Sequence, residues 1–148
     1  MERTETALKL FEDGFNCSQA VLSVFIDILD IDNDTALKIA TGFGGGSRNG
    51  ELCGAVSGAI MLLGLKNGHS IKGDNETKTK SYNLTKVFTD KFRNNHGHIV
   101  CKNLLGYDLS NAKDYNFLEQ QGMFKTECPK YISGAIEILE DMLRNGEI

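Results

Sequence analysis

The sequence predicts an all-α fold on three observations. Apolar residues recur at spacings of three and four rather than two, strand signals are scarce, and a single proline, Pro129, occurs in the whole chain. At 148 residues, with 41% hydrophobic and 24% charged side chains, the chain suits one globular domain. A chain of this size buries roughly 70% of its unfolded surface and needs no disulfide staples to hold a core. The expectation is therefore a single four-cysteine helical domain over residues 1–148, a compact bundle of five to seven helices around one central apolar helix.

The elements follow in order. Ala7, Leu8, Leu10 and Phe11 give a short amphipathic first helix that Gly14 ends. Asn16-Cys17-Ser18-Gln19 has the form of a capping box, in which Asn16 accepts from first-turn amides and Gln19 reaches back. A second helix runs from Cys17 to about Leu29; Ala20, Val21, Val24 and Ile28 continue the face of Cys17 and turn its thiol towards the core. Asp32 or Asn33 caps a shorter third helix carrying Ala36, Leu37, Ile39 and Ala40. The stretch Gly42-Phe-Gly-Gly-Gly-Ser-Arg-Asn-Gly50 reads as a flexible loop.

Glu51 to Leu65 is apolar nearly all round, as expected of a helix surrounded by others, and Asn67-Gly68 supplies its stop. Gly54 and Gly58 leave a flat strip on it where another helix can lie close. His69 to Lys78 is a polar surface loop. A fifth helix, about Thr79 to Asn95, places Leu84, Val87, Phe88 and Phe92 on one side, and His98 to Leu105 is a short helix stopped by Gly106. Tyr107 to Lys125 has poor periodicity and is assigned a turn and one weak helix after Ser110. The last helix, Pro129 to Asn145, turns Ile132, Ala135, Ile136, Leu139, Met142 and Leu143 inward.

Charge and hydropathy exclude several functions. The 16 basic and 20 acidic residues give a net charge of −4, and no Lys/Arg cluster stands out to neutralise a run of phosphates, so no nucleic acid is expected as a partner. The longest apolar stretch, Leu52 to Leu65, is shorter than the roughly 18 to 20 residues of a bilayer span and is interrupted by Gly54, Ser57, Gly58 and Gly64. Met1-Glu-Arg-Thr-Glu-Thr lacks the layout of a secretory signal, so the expected address is the cytoplasm. Thiols there are held reduced, which makes Cys17, Cys53, Cys101 and Cys128 ligands, redox groups or core residues rather than structural disulfides.

The four cysteines form no Cys-x-x-Cys pair, so spacing alone gives no metal motif. Placement says more, because each falls at or within the first turn of an expected helix. Cys128 directly precedes Pro129, the residue favoured at a first helical position. A helix amino terminus carries roughly half a positive charge and unpaired amides, which favour thiolate over thiol. Four converging ends would sum to about two positive charges, comparable to the net negative charge of a cluster held by four thiolates.

Around them, Arg48 either favours the Cys53 thiolate or is simply solvated, and Ser57, one turn after Cys53, either donates to a sulfur or packs a helix contact as a small residue. His96 and His98 straddle Gly97 before Cys101 as ligands, proton donors or a surface pair. The Gly42 to Gly50 stretch follows a helix and lacks a Gly-Lys-Ser/Thr ending, so it reads as a hinge or a close backbone approach rather than a phosphate loop. No serine or cysteine hydrolase constellation emerges.

Gly50-Glu-Leu-Cys53-Gly-Ala-Val-Ser-Gly58, preceded by Gly42-Phe-Gly-Gly-Gly46 and flanked by Cys17, Cys101 and Cys128, resembles the C_GCAxxG_C_C family of redox-active proteins over nearly the whole chain. This chain reads Cys53-Gly54-Ala55 where the family name spells Gly-Cys-Ala. The family is similar in turn to the iron-sulfur part of split-Soret cytochromes c. That resemblance implies a [2Fe-2S] cluster on the four cysteines; no Cys-x-x-Cys-His is present, so haem attachment is not implied.

Three functions stay open. The first is an electron-transfer protein whose cysteines hold an iron-sulfur cluster or another thiophilic metal, zinc being the runner-up, with an unknown redox partner protein and room for a homodimer. The second is a metal-free thiol/disulfide enzyme or sensor. The third is a helical interaction domain with inert buried thiols.

Overall fold

The computed structural model describes residues 2–148. Among them the fold is all-α, with eight α-helices and no strand. These are α1 (Glu2–Glu12), α2 (Cys17–Ser23), α3 (Asn33–Ala40), α4 (Gly54–Asn67), α5 (Asn75–His96), α6 (Cys101–Leu105), α7 (Ala112–Gln120) and α8 (Met123–Arg144). The count exceeds the expected five to seven because the weak helix after Ser110 is a formed one. Asn111 starts it, its side chain accepting from the amides of Lys113 and Asp114.

Local chemistry sets the other boundaries. The capping box of α2 is complete: the Gln19 amide donates to Asn16 Oδ1 and the Asn16 amide to Gln19 Oε1, both at 2.9 Å. The helix stops at Ser23, short of the expected Leu29, and the chain continues as a 3-10 turn over Ile26–Ile28. Arg3 of α1 is the physical reason. Its guanidinium donates to the Val24 carbonyl at 2.6 Å, pairs with Asp27 and lies over the buried Phe25 ring, so the helix end is satisfied from another element. Asp74 accepts from the Thr77 amide at 3.1 Å and starts α5 at Asn75, ahead of the expected Thr79.

α4 is the central helix, packed against α2, α5 and α8. Ala55, Val56, Ala59, Leu62 and Leu63 on it are wholly buried. The glycine strip lets α2 come closest: a methyl group on Gly58 would meet the Ser18 carbonyl oxygen at 2.7 Å. A second, smaller hydrophobic cluster joins Cys101, Leu105, Leu109 and Leu118, with Phe124, Cys128 and Tyr131 packed on it. Cys17 and Cys53 belong to the main core, and Tyr131 touches both clusters. No helix of the described residues is long and apolar enough to cross a membrane.

The glycine-rich stretch is a built turn rather than a loose loop. After a 3-10 turn over Thr41–Phe43, the successive residues Gly45, Gly46, Ser47 and Arg48 take φ of 66°, 63°, 57° and 63°. That is one turn of left-handed helix, closed by the Glu51 amide donating to the Gly46 carbonyl at 3.1 Å. Glycine tolerates this backbone; Ser47 and Arg48 each oppose it by about 1–2 kcal/mol.

Candidate functional site

Two of the cysteines are brought together by a single antiparallel bridge between Leu52 and Val100. The Cys53 amide donates to the Ile99 carbonyl at 2.8 Å and the Cys101 amide to the Glu51 carbonyl at 2.6 Å. Side chains alternate along a strand, so Cys53 and Cys101, each one residue beyond the bridged pair, turn to the same face. The bridge also sets the starts of α4 and α6 side by side, with Cys53 the N-cap of α4 and Cys101 the first residue of α6. Cys17 enters as the first residue of α2, behind the Asn16 cap.

Cys128 arrives differently from the expectation. α8 begins at Met123, so Cys128 lies in its second turn and Pro129 is inside the helix rather than at its first position. The proline forfeits one backbone hydrogen bond there, and the flanking turns carry the helix through. Four cysteines from distant parts of the chain thus line one cavity of about 250 Å³. Its other walls include Phe11, Phe15, Leu105, Tyr115, Phe124 and Tyr131.

The residues expected to support the cysteines divide. Gly54 lines the cavity, and a side chain there would collide with Cys17 Sγ. Arg48 lines it too, donating from Nε to the Gly44 carbonyl at 3.0 Å. Its charge favours the thiolates of Cys17 and Cys101 rather than that of Cys53. The Ser57 hydroxyl is buried and donates to the Gly54 carbonyl at 3.1 Å, so it serves the helix and not a sulfur. Gly58 faces Ser18. His98 is exposed and lies outside the cavity wall, and His96 packs instead on Phe92 and Tyr131, with ring centroids 4.5 and 5.4 Å away.

The aromatic wall lies outside the sequence expectations, although the sequence carries a signal for it. Phe124 and Tyr131 lie four residues before and three after Cys128, the spacing that puts side chains on one helical face. It was hidden because Pro129 draws the helix start six residues too late. Tyr131 is further fixed by its hydroxyl, which donates to the Leu104 carbonyl at 3.2 Å.

The electrostatics reverse the expected thiolate preference. Burial pushes the Cys17 thiol up, although the amides of Gly45 and Ser18 beside its sulfur and the charge of Arg48 oppose it. Burial and the neighbouring Cys17 push Cys53 well up against the first-turn amides of Ala55 and Val56. Cys101 is pushed up to about 12, first by burial and then by Cys17. Cys128 is pushed up by burial, Cys17 and Cys101. Half-charges at helix ends do not offset removal from water, and each thiolate formed makes the next one harder.

The metal-free cavity therefore holds four neutral, free thiols near pH 7. Among the described residues no group of three or more His, Cys, Asp or Glu side chains is arranged to hold a metal ion.

A raised thiol pKa stabilises the fold below the unfolded value, about 8.5, and the gain is lost as pH climbs through the folded value. The reduced protein is accordingly expected to lose urea resistance between about pH 9 and 12, less steeply in Cys101→Ser, whose thiol is the one pushed up to about 12. Parallel pH profiles for the two proteins would contradict the burial of that thiol.

The family model described as "Putative redox-active protein (C_GCAxxG_C_C)" matches residues 15–142, a span that includes all four cysteines. No curated protein and no solved structure matches the chain. A Cβ on Gly54 would meet the Cys17 sulfur, and Cys53 before it is the N-cap of α4.

Proposed function

The chain belongs to the C_GCAxxG_C_C family of redox-active proteins, and from that premise we propose that Cys17, Cys53, Cys101 and Cys128 together hold a [2Fe-2S] cluster used for electron transfer. The observation that supports this reading is that four cysteines from α2, the start of α4, α6 and α8 line one cavity. Cys17 and Cys53 pack in the main core, and Cys101 and Cys128 lie with the smaller cluster. A two-iron cluster and a single zinc ion each accept four thiolates, and the family's resemblance to the iron-sulfur part of split-Soret cytochromes c favours the cluster.

A bound cluster supplies one-electron chemistry. The chain's own residues do the rest. Each cysteine gives up its proton on ligation, so uptake of iron releases protons and is favoured by alkaline pH. The amides of Gly45 and Ser18 beside Cys17, and of Ala55 and Val56 beside Cys53, stabilise charge on two of the sulfurs. Phe11, Phe15, Tyr115, Phe124 and Tyr131 keep the surroundings apolar, which together with those amides would tune the potential of a bound cluster.

Anaerobic reconstitution of the reduced protein with ferrous iron and sulfide tests the proposal. The expected product carries about two irons and two sulfides per chain, absorbs in the visible and bleaches on reduction. A colourless, iron-free protein after desalting would overturn it, and loss of thiols in pairs on mild oxidation of that protein would point to the disulfide chemistry instead.

A further inference from the structure

We propose that the cysteine cavity also binds a small organic carboxylate, whose apolar body lies among the aromatic and leucine walls and whose charge meets Arg48. Arg48 is the one charged side chain lining the cavity among the described residues. Arg48 is exposed at the cavity rim; its Nε is spent on the Gly44 carbonyl, and among the described residues its terminal nitrogens have no acceptor and no carboxylate. A guanidinium with one edge fixed and the other uncommitted is suited to a carboxylate, which it binds through two parallel hydrogen bonds.

The backbone is built around that placement. Arg48 has φ 63° and ψ 10°, and Ser47 before it φ 57° and ψ 38°, conformations that oppose non-glycine residues. Such strain persists where the surrounding structure has a use for it. Gly45, itself at φ 66°, lies against the Arg48 guanidinium, which a side chain there would displace.

The rest of the wall sets the ligand's body. Phe11, Phe15, Leu104, Leu109, Tyr115 and Phe124 offer apolar and aromatic surface, and Asn16 is the other polar side chain besides Tyr, Cys and Arg48. A cavity of about 250 Å³ is at the small end of ligand sites, which fits one ring or a short branched chain. The ligand class is therefore a single-ring or short-chain monocarboxylate.

Titration calorimetry on the reduced, metal-free full chain tests this, with benzoate as the probe and benzamide as its uncharged counterpart. Benzoate should bind at least about tenfold more tightly than benzamide, since the pair differ in the charge that Arg48 reads. Arg48→Gln should bring benzoate down to the level of benzamide. Arg48→Gly should do the same, and its relaxed backbone keeps the variant folded. Leu104→Trp, at a half-buried lining position, should remove both probes by filling the cavity.

Equal affinity for the two probes, no benzoate binding at millimolar concentration, or unchanged binding in the Arg48 variants would overturn the proposal. The probe is read without iron, so a failure here leaves the cluster reading standing, and a failure of iron uptake leaves this one standing.

Discussion

Gly58→Leu is expected to lower the stability of the protein by about 3 kcal/mol, the upper end of overpacking costs. The reason is the approach of α2 to α4. The Cβ alone would stand 2.7 Å from the Ser18 carbonyl oxygen and 3.2 Å from Ser18 Cα, and both are backbone atoms that cannot swing aside. Gly58→Ala should show the same contact in milder form, with a clash of about 1–3 kcal/mol partly offset by the roughly 1 kcal/mol that alanine gains over glycine in a helix. Gly64→Ala, in the same helix, separates the two effects. A Cβ there meets nothing within 4 Å, so that variant should be more stable than the parent by up to about 1 kcal/mol. Urea unfolding of the three variants is the measurement, and a Gly58→Leu midpoint equal to the parent's would remove the close contact between α2 and α4.

The same glycines show what a sequence reveals and what it withholds. Gly54 and Gly58 announce a close approach, because four-residue spacing on an apolar helix leaves a flat strip; which helix lies there is settled by packing, and it is α2. The Asn16 to Gln19 capping box is legible because both partners lie within one turn. The end of α2 is not, since the Arg3 that closes it belongs to α1 and acts across a contact with large sequence separation. The left-handed turn was invisible for a different reason. A glycine-rich stretch signals freedom of conformation, whereas Ser47 and Arg48 carry no sign that they share the conformation of Gly45 and Gly46.

The site was legible to a similar depth. Three cysteines sit at helix starts, where the local signals put them, and Cys128 does not, because Pro129 is a first-position signal overridden by Met123 to Cys128. The gathering of Cys53 and Cys101 depends on the Leu52 to Val100 bridge, a pairing one residue long that no period-2 pattern can announce. Helix-end charge argued for thiolates, and burial decided the other way. Local reasoning located the sulfurs along the chain but could not weigh their desolvation, which depends on everything packed around them.

Cys53→Ser is expected to abolish iron uptake while leaving the fold at least as stable as the parent, and that combination distinguishes the three functions. Cys53 is the N-cap of α4 and makes no capping hydrogen bond from its side chain. Serine is a preferred N-cap whose hydroxyl accepts from first-turn amides, here those of Ala55 and Val56, and such a cap is worth about 1 kcal/mol. Any loss of the centre therefore cannot be laid to unfolding of the central helix, and a urea midpoint at or above the parent's would demonstrate this directly. A neutral hydroxyl is a poor substitute for thiolate at iron, so visible absorption after reconstitution should fall to background. A thiol/disulfide pair involving Cys53 would respond otherwise: mild oxidation would leave its partner thiol titratable, with no change in colour because none was present. Inert thiols would show neither effect. Iron uptake by Cys53→Ser equal to the parent's would sink the cluster as a four-cysteine centre, since the cavity would then hold iron without the thiol that the bridge and the start of α4 place in its wall.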